Sequence, residues 1–283
     1  MLESAVAHSA ASIRLVVNAD GFGTSAARNH GILAAHSDGF VTSTSVLGNA
    51  ADAPAVMAEL ASAPSLGTGL LLALAGGSPA APPVDVPSLV GPEGRFPPRG
   101  RDVLLVWAKA ALRGEDVEQE FAAQVARWRD AGLRIDHLAS QDNLAALPVV
   151  ALAAERAARR YGIAGLRTSV EKPTLAWAAD VPRALTTAAM GALSWYARHH
   201  LGTLRHGPQT WGHFEAGHLD EIRLLEILGR LGPGSHEILC APNLDPGAPT
   251  APADSEVAAL CSRRVREAIR ARAIELCRWS DLF

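Results

Sequence analysis

Asp20 closes an apolar run, Ile13 to Asn18, and is followed by Gly21, Phe22 and Gly23. A carboxylate after a buried strand can do proton chemistry, but taken alone the Asp20-Gly21 pair reads first as a turn or a helix cap. Other residues able to move protons or hold ions are widely spaced: His137 and Asp142, Arg167 and Glu171, and the run Trp211-Gly212-His213. A tight divalent-metal site needs about four ligands converging on one point.

The elements that must position these residues alternate between short β-branched runs and helical patterns. Strands are predicted for Ile13 to Asn18, Phe40 to Leu47, Gly67 to Ala75, Leu133 to Leu138, Leu166 to Val170 and His236 to Cys240. Helices are predicted for Ala26 to Ser37, Ala51 to Ala63, a stretch carrying Val117, Phe121, Val125 and Trp128 on one face, Pro148 to Tyr161, Asp180 toward Arg198, and Leu219 to Leu231. A last helix presents Val257, Cys261, Val265 and Ile269 as one stripe. Strand followed by helix, repeated, predicts parallel βαβ units. In barrels of that kind functional residues sit at the carboxyl ends of the strands.

Four segments fall at such ends: Asn18 to Gly23, Gly69 to Pro79, Ile135 to Pro148, and Glu237 to Pro242. In that order they resemble the signature segments of the YdjC-like carbohydrate deacetylases, the family of chitooligosaccharide and hopanoid-associated deacetylases. Those segments run approximately N-A-D-D-F-G, G-L-H-L-x-L-x-x-G-x-P, D-S-H-Q-H-V-H-x-x-P and C-H-P. Arg167, Glu171, Trp211-Gly212-His213 and the terminal Trp279-Ser-Asp-Leu-Phe283 extend the likeness over most of the chain. The polar residue of the pattern is missing at Gly21, Leu71, Ala139, Gln141, Asn143, Ala145 and Ala241, while Phe22, Gly23, Gly69, Gly77, Pro79, Pro148 and Pro242 still match.

The resemblance implies an α/β fold, a distorted (β/α) TIM-like barrel of the glycoside hydrolase and deacetylase type. It also implies one divalent metal, zinc or magnesium, activating water to remove acetyl groups from N-acetylated amino sugars. Asp20 matches the candidate base, and Gly21 stands where a metal-binding Asp is expected. Leu71 replaces the first His, and Ala241 removes an imidazole near the leaving group. Were the third segment one continuous strand, Ala139, Gln141, Asn143 and Ala145 would share a face and Asp142 would point away. His137 has the same parity but lies deeper, as a core or rim histidine. Arg167, Glu171, Trp211 and His213 are expected to line a sugar cleft. Metal lowers the pKa of bound water from about 15.7 to about 7, so its loss forfeits up to about 12 kcal/mol of nucleophile activation. No metal and no other cofactor is expected here.

Composition narrows the partners. The chain of 283 residues is 48% hydrophobic and can bury one large core. A domain over residues 13–283 preceded by a flexible tail over residues 1–12 is expected. The formal charge of -3 offers no general attraction for nucleic acid. Cys240, Cys261 and Cys277 show no paired spacing, and no leader pattern or transmembrane run is visible, which together point to a cytoplasmic protein. Three readings stay open: a pseudoenzyme, natural or deliberately stripped of ligands, that binds an acetylated amino sugar or a glycolipid head group; an active deacetylase with an atypical site; or an interaction scaffold, alone or as a homo-oligomer.

Overall fold

The computed structural model describes residues 12–167, 170–178, 180–200, 207–246, 251–252 and 255–283. The tail expected over residues 1–12 therefore lies, except for Ser12, outside the described residues, as do positions 168–169 of the strand expected from Leu166 to Val170. In chain order the first half contains β1 (Ile13–Phe22), α1 (Ala26–Ser37), β2 (Ser43–Leu47), α2 (Ala53–Leu60), β3 (Gly67–Leu72), α3 (Gly100–Ala108), α4 (Gly114–Asp130) and β4 (His137–Ser140). The second half contains α5 (Pro148–Tyr161), β5 (Gly165–Leu166), α6 (Val181–His200), β6 (Gln209–Trp211), α7 (Glu221–Arg230), β7 (Gly234–Cys240), α8 (Glu256–Leu260), α9 (Arg263–Ala271) and β8 (Ile274–Leu276).

All strand pairings are parallel, in the order β5-β4-β3-β2-β1-β7-β6, with β8 also pairing with β1. A single parallel bridge, Glu171 to Thr210, brings the chain beyond β5 against β6. That contact joins the two ends of the sheet path and curls it toward a ring, the distorted TIM-like barrel. Helices cover the sheet, so β1 is apolar on both faces: Leu15, Val16 and Val17 are all fully buried.

Local chemistry explains where the helices begin and end. Ser25 caps α1 by accepting from the Arg28 amide, and Pro148 suits the first turn of α5. Gly162 ends α5 in the left-handed conformation at φ 67°. In α4 the stripe Val117, Phe121, Val125 and Trp128 is wholly buried, and the Trp128 indole donates to the Gly48 carbonyl at 2.8 Å. Burying each such side chain stabilises the fold by about 1.5–3 kcal/mol.

Beyond shifted ends, as in the strand expected from Leu133 that starts only at His137, two expected elements differ. The single last helix is two, because Ser262 starts a new one by capping the Val265 amide after the chain turns at Cys261. The third segment is not a strand through residue 145. Strand β4 ends at Ser140, and residues Gln141–Ala146 form a 3₁₀ turn in which Asp142 and Asn143 adopt φ of 50° and 60°. A strand cannot contain two consecutive left-handed residues.

Candidate functional site

The carboxyl ends of β1, β3, β4, β5, β6 and β7 surround a cavity of about 230 Å³. Its floor rests on a buried charge cluster. Arg167, just beyond β5, donates to Asp20 of β1 at 2.5 Å and to Glu237 of β7 at 2.7 to 3.0 Å. Asp20 also accepts from the Asn18 amide at 2.8 Å, and Glu237 from the Trp279 indole at 3.2 Å. Burial opposes the charge on Arg167, but Asp20 and Glu237 together outweigh it and hold the guanidinium protonated.

The cluster continues below the cavity. Asn18 donates a second bond to the Ser45 hydroxyl, which meets His137 Nε2 at 2.9 Å, while His137 Nδ1 meets Asp136 at 2.6 Å. The His137 ring is fully buried and stacks on Trp279 with centroids 4.7 Å apart. It approaches β3 so closely that a Cβ on Gly69 would lie 2.2 Å from the ring, so glycine is required there. His137 is thus the core histidine that its depth in the strand suggests.

On the opposite wall Glu171 accepts from the amides of His213 and Phe214 at 2.9 and 3.1 Å. Burial, reinforced by repulsion from Glu215, pushes the Glu171 carboxyl up to about 8, and the two amides offset this only partly. Burial and the nearby Arg167 charge push the His213 imidazole down to about 4, so it is neutral at physiological pH. A neutral imidazole and a largely protonated carboxyl offer hydrogen bonds to a ligand without adding charge.

Arg167, Glu171 and His213 line the cavity together with Asp20, as the sequence suggests. Trp211 does not. It is 1% exposed, bonds through its indole to His236 at 3.2 Å, and has Lys172 and Arg230 near its ring. Its alternate position along β6 turns it into the core, so it is a packing residue rather than a sugar platform.

Of the substituted positions, Gly21, Leu71, Gln141, Asn143 and Ala241 line the cavity, whereas Ala139 is buried in β4 and Ala145 packs on the core beside the turn. The left-handed turn is what separates them. It also brings Asp142 to the cavity, where its carboxylate accepts from the Gly100 amide at the start of α3, 3.0 Å away. The expectation that Asp142 points away rested on strand geometry that the turn abolishes. At Gly21 the ladder between β1 and β2 shifts register and φ is 91°, a backbone suited to glycine.

Four further residues were not singled out from sequence: Glu237, Arg28, Thr24 and Cys240. A carboxylate inside the apolar run His236 to Cys240 must find a partner, and that was the available signal for Glu237. Cys240 is fully buried, its thiol held well above its ordinary range by burial and neighbouring carboxylates, and it donates to the Asn18 carbonyl at 3.4 Å. Among the described residues no three His, Cys, Asp or Glu side chains converge as a metal site would require, and no helix is long and apolar enough to cross a membrane.

A curled parallel sheet with a cavity at the carboxyl ends of its strands defines a distorted TIM-like α/β barrel. A sequence model of the YdjC-like protein family matches residues 14–271, and the chain belongs to that family. It is 32% identical over 254 residues to a carbohydrate deacetylase of Mus musculus, covering 85% of this chain and 80% of that protein. A carbohydrate deacetylase of Brevibacillus brevis is 36% identical over 151 residues, 53% of this chain; the match spans only 58% of the Brevibacillus protein. The crystal structure of a putative cellobiose-phosphate cleavage protein from Enterococcus faecalis superposes with a TM-score of 0.73 at 25% identity, covering 96% of this chain and 99% of that one.

Proposed function

We propose that this chain is a YdjC-like protein that holds an acetylated amino sugar in the barrel cavity without metal-dependent deacetylation. The carrying observation is the make-up of the cavity wall: Gly21, Leu71, Gln141, Asn143 and Ala241 occupy the positions where the family pattern places ionisable groups. Gly21, Leu71 and Ala241 offer no side-chain ligand atom, and neutral amides at Gln141 and Asn143 stand where zinc would take imidazole, thiolate or carboxylate. Asp20 remains, but its carboxylate is engaged by Arg167 and Asn18. Binding is supported by the surviving polar wall of Glu171, His213 and Asp142. Three free thiols, two of them buried, favour a reducing compartment such as the cytoplasm.

The test pairs metal analysis of the purified protein with an acetate-release assay on N-acetylglucosamine oligomers, with zinc or magnesium added. Less than a tenth of an equivalent of bound metal, no release, and millimolar sugar binding are expected. A ligand at 100 times its dissociation constant adds about 2.7 kcal/mol of stability. Stabilisation of that size by micromolar zinc, with acetate release abolished in Asp20→Asn, would establish an active enzyme instead. Absence of both sugar binding and turnover would favour a scaffold.

A further inference from the structure

Two groups facing the cavity have unmet needs. Arg28, in the first turn of α1, is half-buried, and its guanidinium makes one long bond, 3.4 Å, to the Pro242 carbonyl. Among the described residues no carboxylate lies within ion-pair distance of it, in contrast to Arg167, whose Nε, Nη1 and Nη2 all meet carboxylates. The nearest compensating charges are at longer range. One of them, Glu256, is itself pushed up to about 7 by burial and so is only partly ionised at neutral pH. The second group is the Gln141 side-chain oxygen, buried with no donor.

The setting concentrates positive potential beside Arg28. Helix α1 has no acidic residue in its first turn, so its amino-terminal dipole and the guanidinium reinforce each other. The helix is also held in place: a Cβ on Gly31 would lie 2.7 Å from the Pro242 carbonyl, and the Leu244 amide donates to the Ala27 carbonyl at 2.9 Å. Gly21 leaves the guanidinium stem uncovered, since a Cβ there would sit 3.9 Å from Arg28 Cγ. A desolvated, unpaired cation beside a helix amino terminus is costly unless an anion meets it.

We propose that the cavity binds a small ligand bearing a single carboxylate, which pairs with Arg28, and an N–H or O–H group, which donates to Gln141. This deepens the sugar-binding reading and rests on it: the ligand class is an N-acetylated sugar acid. A carboxylate matches the guanidinium in charge and planar shape. A phosphate monoester, at about -1.5 to -2, would leave charge uncompensated beside Asp20 and Asp142, which line the same cavity.

Calorimetric titration of the full chain with N-acetylmuramic acid, N-acetylglucosamine and N-acetylglucosamine 6-phosphate tests this. The sugar acid should bind at least tenfold more tightly than the neutral sugar and no more weakly than the phosphate. Arg28→Gln should erase the preference, Arg28→Lys should retain part of it, and Gln141→Leu should weaken all three acetamido sugars. Circular dichroism melts of each variant check folding. Equal affinity for acid and neutral sugar, or a preference that survives Arg28→Gln, overturns the carboxylate site but leaves sugar binding intact. Should none of the sugars bind, the sugar reading fails, and acetate alone, followed by NMR, decides the rest. Acetate binding lost in Arg28→Gln supports the anion site, and no acetate binding at 50 times the protein concentration overturns it.

Discussion

The floor of the cavity and its wall solve the problem of burying polar groups in opposite ways. In the floor, Asp136, His137, Ser45, Asn18, Asp20, Arg167, Glu237 and Trp279 form one chain of hydrogen bonds and ion pairs linking four strands and the carboxyl terminus. In the wall, Gly21, Leu71, Gln141, Asn143 and Ala241 carry no ionisable group, and Arg28 and the Gln141 oxygen are left wanting partners. A buried network is costly to break at any single point, since each removal strands a charge or a donor. Wall positions face solvent space, so changes there mainly alter what the cavity can hold. The floor therefore holds the fold together, and the wall sets what the cavity can hold.

Breaking the floor should have the largest effect. Arg167→Met would leave Asp20 and Glu237 buried without a counter-charge, and losing one partner of such a pair costs about 3–5 kcal/mol. Urea unfolding should show that loss, whereas the double variant Arg167→Met with Glu237→Leu should recover part of it, because the fully buried carboxylate is gone and only the partly exposed Asp20 lacks its counter-charge. A single variant as stable as the parent would mean that water already screens the cluster, and the contrast between floor and wall would collapse.

A smaller effect is expected from pH at the boundary between the two regions. Because the folded-state value of Glu171, about 8, lies above its ordinary 4.5, the folded chain keeps a proton that the unfolded chain releases. Its contribution is fully present below about pH 4.5 and is lost as pH rises toward 8. Glu256, raised to about 7, acts in the same direction. His213, lowered from 6.5 to about 4, acts oppositely, withdrawing stability as pH falls through that window. Unfolding measured from pH 5 to 8.5 should show Glu171→Gln losing less stability than the parent with rising pH, by on the order of 2 kcal/mol. Parallel curves would show that the backbone amides, not burial, govern Glu171.

Much of this contrast was legible from sequence where the signals are local. The bounds of α1 and α5 follow from Ser25, Pro148 and Gly162, each acting on its own helix end. Asp20, Arg167, Glu171 and His213 come together as the ordered segments suggest. What failed depended on backbone hand or on distant partners. Asp142-Asn143 reads as part of a strand by alternation, yet short polar side chains tolerate the left-handed region, and two in succession turn the chain. Trp211 reads as a residue of the sugar cleft, but sequence alone does not say which face of β6 meets the core. The pairing of Arg167 with Glu237 spans 70 residues, and only the closing of the sheet brings them together.

The wall should be the most tolerant region, with one position set apart by its backbone. Ala241→His adds an imidazole beside open cavity and should change stability by less than about 1 kcal/mol, as substitutions away from buried features usually do. Gly21 has comparable room, since an added Cβ would meet only Thr24 at 3.4 and 3.6 Å and Arg28 at 3.9 Å. Its φ of 91° is the obstacle, and an L-residue there costs about 1–2 kcal/mol. Gly21→Ala should therefore melt measurably below the parent, while Gly21→Asn should lie between them because asparagine enters this region more readily. The same strain opposes placing a carboxylate at this position: Gly21→Asp must either bear it or shift the register of β1 against β2, so building a metal site on this residue requires backbone change as well as ligands. Equal melting of Gly21→Ala and the parent would mean that the backbone relaxes freely at this position. The wall could then take up metal ligands by side-chain substitution alone.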